Sequence, residues 1–257
     1  MFFKVLLLCL AGLSSVTFAK TSSIPQAAES LSSSQCFFIP PKNWEIADPR
    51  SLSPKVKIAF LKKGGNGFCP SINLAIEETD ASLNEYLKAV KAIHEQDRRN
   101  HWRALGKVRT SAGLGQLTEI DSTTEWGPVR ILQLIIVKEG QAYVLTAAAL
   151  KEEIPTYYKE FQSAFRSFTL SNDLFSNIPQ TDRRQMLKQQ QTHLLTACED
   201  YFRSQKKNPM EDPRFKEEHW AAFQKSVLDN FGDMGVFWQL LVLRDAHEKL
   251  ISNQDPK

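Results

Sequence analysis

His94, Asp97 and His101 are the residues whose types and spacing come nearest to a chemical site. A helix running through all three would turn two imidazoles and a carboxylate to one side, a donor set suited to a divalent metal. Arg98, Arg99 and Asn100 read instead as a solvated helix end, and Trp102 as the start of a strand, so the alignment is expected to break; no cofactor is expected. Cys36 and Cys69 have no His close in sequence and no Gly-x-Ser-x-Gly occurs, which leaves nucleophilic catalysis without a sequence signature. Asp245 with His247 and Glu248 could orient an imidazole as a base, but an exposed final helix commonly carries such residues. Glu152-Glu153 stand where a helix opens, and its positive end accounts for them. Gly64-Gly65-Asn66-Gly67 lacks the following Lys-Ser/Thr and the helix of a phosphate loop, and reads as a hairpin loop.

The elements that must position any site are organised around Arg130 to Leu170. Ile131, Leu132, Leu134, Ile135, Ile136 and Val137 load both parities of a period-2 pattern, so this strand is expected to be central and buried on both faces, with Gln133 its polar exception. A Glu139-Gly140 turn leads to a second strand, Tyr143 to Thr146, whose continuation Ala147-Ala148-Ala149 admits close packing. Pro155 suits a first helical turn, and Ile154, Tyr157, Tyr158, Phe161, Ala164, Phe165 and Phe168 form one apolar helix face that must cover the sheet. Upstream, Cys36 to Ile39, Val56 to Leu61 and Ile72 to Ile76 read as strands. A helix capped at Asp80 or Ser82 carries Leu83, Tyr86, Leu87, Val90 and Ile93 on one stripe, and Trp102 to Thr110 and Gly115 to Asp121 are further strands. Strands in runs, with few helices between them, point to an α+β fold with a mainly antiparallel sheet.

Beyond Leu170 the pattern is helical. Met186 to Phe202, Phe215 to Phe231 and Val236 to Leu243 each carry an apolar stripe, so 171–257 reads as a helical extension. At the other end, Lys4, the apolar run Val5 to Leu13 and Thr17-Phe18-Ala19 have the form of a signal peptide over 1–19, followed by a Ser-rich linker over 20–35. Without the leader the chain carries a net charge of +2, with both signs interspersed, which disfavours nucleic acid as a partner. No other segment is apolar enough to span a bilayer, so an integral membrane protein is not expected. Export would permit a Cys36–Cys69 disulfide, and Cys198 reads as a buried hydrophobe on a helix.

Phe38-Ile39-Pro40-Pro41-x-x-Trp44, the helix opening Ser82-Leu83-Asn84-Glu85-Tyr86, Gly140 to Thr146, and Phe161-x-x-x-Phe165-Arg166-Ser167-Phe168 together resemble the PsbP-like group over 36–170. That group includes the extrinsic subunit of the photosynthetic oxygen-evolving complex, a Ran-binding nuclear protein and exported bacterial proteins of unknown role. The resemblance implies an α/β/α sandwich used for binding or assembly and not as an enzyme scaffold, and the metal ions associated with photosynthetic members favour His94, Asp97 and His101 slightly. The basic N-terminal segment of those members is replaced here by a Ser-rich one, which argues against a photosystem role.

The expectation is therefore a periplasmic or secreted, non-enzymatic binding or assembly protein of the cell envelope, in contact with an envelope protein or complex through its sheet domain and tail. Trp220, Phe223, Phe231 and Phe237 are the expected interaction residues. One alternative is a carrier of small apolar ligands with a pocket lined by Trp44, Phe60, Trp220 and Phe223; the other is a metal-assisted or Cys-dependent hydrolase.

Overall fold

A computed structural model describes residues 35–63 and 67–252. The expected leader and linker, and three residues of the Gly64 to Gly67 loop, lie outside the described residues. The chain forms two compact units, one of residues 40–169 and one of residues 35–39 with 170–252.

The first unit is a seven-stranded antiparallel sheet with two helices. Its elements are β2 (Glu45–Ile46), β3 (Val56–Leu61), β4 (Ser71–Glu78), α1 (Leu83–Glu95), β5 (Asn100–Thr110), β6 (Gly113–Thr124), β7 (Gly127–Lys138), β8 (Gln141–Leu150) and α2 (Ile154–Arg166). The spatial order is β2-β3-β4-β8-β7-β6-β5. The alanine-rich β8 is thus the middle strand, in place of β7, which is interior and paired on both sides. Both strands are buried on both faces, so parity alone could not rank them. The expected Glu139-Gly140 turn joins them with both residues at positive φ, 53° and 74°, the backbone that a tight hairpin of right-handed twist requires.

Each face of the sheet has its own helix. Phe161, Ala164 and Phe165 of α2 are at most 1% exposed, and the following Phe168 meets Tyr143 of β8 at 5.6 Å. Trp44 closes this side by edge contacts with Tyr157 and Phe161 while its indole N–H donates to Glu160. On the opposite face Tyr86 and Val90 of α1 pack with Ala75, Ile135 and Val144. α1 opens with a capping box in which Ser82 and Glu85 satisfy each other's backbone N–H, so of the two expected caps Ser82 is the one used. Ser82→Ala is expected to lower stability by about 1 kcal/mol, read from urea unfolding.

Register also places a row of buried polar residues across this second face. Thr118 stands opposite Gln133, Gln133 opposite Thr146 and Thr146 opposite Asn73, each at most 5% exposed. The Gln133 side-chain amide donates to Thr146 Oγ1 at 3.3 Å, which accounts for a polar residue in an otherwise apolar strand.

Close packing is tightest at Gly115. A Cβ there would lie 2.7 Å from side-chain carbons of both Leu134 and Ile136 on β7. Gly115→Ala is expected to destabilise the unit by about 1–3 kcal/mol, because two packed side chains must shift; a midpoint unchanged in urea unfolding would contradict it.

The second unit is helical, with one small sheet. β1 (Gln35–Phe37) pairs with β9 (Thr169–Ser171), and α3 (Thr181–Gln205), α4 (Pro213–Phe215), α5 (Ala221–Asn230) and α6 (Val236–Ser252) follow. Between α4 and α5 the chain makes a π turn, Lys216–Trp220. The segment beginning at Cys36 was expected to open the sheet domain. Instead it belongs here, because Cys36 and Phe38 are fully buried and the Phe38 ring meets Phe237 of α6 edge-on at 5.6 Å.

Candidate functional site

The structure does not bring His94, Asp97 and His101 together. α1 ends at Glu95; Asp97 instead accepts hydrogen bonds from Arg99, whose guanidinium holds its carboxyl at about 2; and His101 is exposed on β5. His94 is the buried member, one turn beyond Val90, with Nε2 unpartnered among the described residues, and burial lowers its pKa. Among the described residues no group of three or more His, Cys, Asp or Glu could hold a metal ion.

Cys69 is a free thiol in the sheet unit, whereas Cys36, expected to pair with it, belongs to the helical unit. Burial pushes the Cys69 and Cys198 thiols up, which suppresses the thiolate a nucleophile needs, and the Cys198 thiol donates to Leu250 O. Asp245 accepts from Gln191 and Lys249, and His247 lies edge-on to Trp220.

Of the expected interaction residues, Phe223, Phe231 and Phe237 are at most 4% exposed and form the core of the helical unit. Trp220 is half-buried, with its ring tilted against Phe223 at 6.3 Å. The stripe is apolar because the helices pack on one another, and these rings are not free for a partner. Of the residues expected to line a carrier pocket, Phe60 is fully buried in the sheet unit and Trp44 is engaged by α2. An open hollow of about 500 Å³ between the end of β4 and the β7–β8 turn is lined by Glu78, Thr79, Asp80, Glu139, Gly140 and Gln141, with no apolar side chain.

What the fold does leave open is the free edge of β5. Among the described residues this strand is paired with β6 alone, and it carries five successive exposed residues, Arg103 to Lys107. A bulge at Ala104/Gly106 makes Leu105 an extra residue, 42% exposed, and Gly106 takes φ 148°, which a side chain would strain. Beyond its ladder with β6, the strand's Asn100 N–H donates to Asp97 O at its start. Among the described residues the outward N–H and C=O groups past that point have no partner strand and form a pairing template, although the Gly106 carbonyl accepts from the Gln116 side-chain amide.

Beside this edge a charge ladder fixes β5 to the sheet. Glu119 on β6, 6% exposed at its side chain, sits 2.6 Å from Arg103 of β5 and 3.2 Å from Arg130 of β7. Arg130 donates to both oxygens of Asp121, at 2.7 and 2.9 Å, and Lys151 adds a third bond at 2.7 Å. Arg130 is the main cause that holds the Asp121 carboxyl at about 2. These residues were missed in the sequence, where Glu119-x-Asp121 and Arg130 are far apart; only the antiparallel register, Asp121 opposite Arg130, joins them.

Two buried or partly buried groups, His94 and Asp121, contribute to the response to acid. His94 has a folded pKa below its unfolded value, so its contribution is present above about pH 6.5 and weakens by up to about 1.4 kcal/mol per pH unit as pH falls. Asp121 contributes above about pH 3.8 and loses that contribution as pH falls toward 2. Stability from urea unfolding is expected to decline first as pH falls below about 6.5, and His94→Gln should remove that first decline and keep the one below about pH 3.8.

No family model and no curated protein sequence matches the chain. Among solved structures it is similar to LpqN, involved in cell envelope biogenesis of Mycobacterium tuberculosis, with 14% identity and a TM-score of 0.42 over 56% of this chain and 87% of that one. It is similar also to PA94, a protein of unknown function from Pseudomonas aeruginosa, with 11% identity and a TM-score of 0.36 over 49% of this chain and 83% of the other. The third is CyanoP, the cyanobacterial PsbP of Synechocystis, with 14% identity and a TM-score of 0.38 over 56% of this chain and 96% of CyanoP. In this chain's own coordinates the antiparallel sheet with a helix on each face has the arrangement that the residue motifs led one to expect. Among the described residues no helix is long and apolar enough to cross a membrane.

Proposed function

We propose that this protein is an exported, non-enzymatic binding or assembly protein of the cell envelope that docks an envelope protein along the β5 edge. The observation that supports this reading is an eleven-residue strand at the end of a seven-stranded sheet, exposed along its middle and anchored from behind by the Arg103–Glu119–Arg130 ladder. A sheet this wide gives the edge a fixed geometry before a partner arrives, which lowers the ordering cost of binding.

The test is a photo-crosslinking amino acid placed at Leu105 in cells, with exposed Leu228 of the helical unit as the control position. A discrete envelope protein captured at Leu105 and not at Leu228 is expected. Equal capture at both positions, or none at Leu105, overturns the reading. The exported chain is expected to begin at Lys20, which its intact mass reports.

A further inference from the structure

The charge of the β5 edge restricts what can pair with it. Arg103, Lys107 and Arg109 are the formally charged side chains of the strand, and no Asp or Glu lies within it. Arg103 is taken up by Glu119, whereas Lys107 and Arg109 have no carboxylate partner among the described residues. Two positions apart on a strand, they project to the same face. Their cross-strand neighbours on β6 are Gln116 and Leu114, one neutral and one a half-exposed apolar side chain. The face is therefore cationic, with an apolar flank and no internal counter-charge.

We propose that β5 accepts an extended acidic segment of a partner protein as an eighth strand, with carboxylates at alternate positions against Lys107 and Arg109. This inference rests on the binding-module reading above and adds the chemistry of the occupant. A second copy of this chain is disfavoured at the same edge, because an antiparallel β5–β5 pair centred on Val108 sets Lys107 of each copy against Arg109 of the other. A carboxylate strand opposite them removes that repulsion and leaves the backbone groups to supply most of the affinity.

The experiment uses the full-length exported chain and three fluorescent ten-residue peptides. One alternates Glu with Val, one alternates Gln with Val, and one is the Glu peptide N-methylated at two adjacent central residues, which blocks pairing along both of its edges. Anisotropy is expected to show the Glu peptide binding at least tenfold more tightly than the Gln peptide, and binding by the N-methylated peptide lost. Amide exchange at Ala104 to Thr110 should slow on adding the Glu peptide. Lys107→Glu with Arg109→Glu should weaken the Glu peptide at least tenfold with an unchanged thermal midpoint, and bring the Gln peptide level with it or above. Equal affinity for the Glu and Gln peptides, or undiminished binding of the N-methylated one, overturns the inference. So does concentration-dependent self-association through β5 with no peptide bound. Crosslinking from Leu105 to an envelope protein, together with any of these results, overturns the acidic occupant alone and leaves the binding reading in place.

Discussion

Trp238→Ala is expected to destabilise the helical unit by about 3–5 kcal/mol, enough to unfold a marginal domain. Trp238 of α6 is fully buried, lies 5.6 Å from the Phe231 ring, and donates its indole N–H to Leu174 O at 3.1 Å. Truncation removes the ring, opens a cavity among Phe231 and the α6 side chains, and leaves the Leu174 carbonyl without that donor. Trp238→Phe separates the two effects. It keeps most of the ring and loses the N–H, so about 1–3 kcal/mol is expected, the cost of a buried acceptor left unmade. Urea unfolding monitored by far-UV circular dichroism reads both variants. A Phe variant as damaging as the Ala variant would place the energy in the hydrogen bond and not in the packing.

The same residue shows what burial writes into a sequence. Helical stripes such as Tyr86 and Val90, or Phe161, Phe165 and Phe168, were legible because one buried face imposes its spacing on the chain. The tail stripes through Phe223, Phe231 and Phe237 were equally legible as helices but not as to what covers them, since an aromatic residue has the same sequence signature against a neighbouring helix or a partner. Strand existence was read from parity, whereas partnership was not: nothing in Cys36 to Ile39 announces pairing with β9. His94, Asp97 and His101 misled because i, i+3, i+7 spacing presumes a helix, and Asp97 captures Arg99 just past the end of α1. The β5 edge was the least legible feature. It is defined by a missing neighbour, and only the complete strand order shows which strand has none on one side.

Arg130→Met carries the largest expected effect in the sheet unit, and its size depends on pH. Arg130 is 20% exposed and lies between Glu119 and Asp121, whose side chains are 6% and 23% exposed. Removing the guanidinium leaves two neighbouring carboxylates on β6 with Arg103 and Lys151 at their far sides, and those cations are half-exposed and screened by water. Breaking one partner out of a mostly buried ion pair costs about 3–5 kcal/mol; the residual exposure here puts the expectation near 3 kcal/mol at pH 7. In the intact protein Arg130 is the first cause of the low Asp121 pKa, and burial opposes it. Without Arg130 the Asp121 pKa rises, so the variant takes up its proton at a higher pH than the intact protein does. Between pH 7 and pH 3 the gap in stability should therefore narrow, because the intact protein begins to lose the Asp121 contribution after the variant has already shed the repulsion. Lys151→Met, at a 49% exposed position, should cost no more than about 0.5–1 kcal/mol and serve as the control. Urea unfolding at the two pH values decides the matter: a gap that stays constant would mean that Arg130 acts through packing of its stem and not through the carboxylates it bridges.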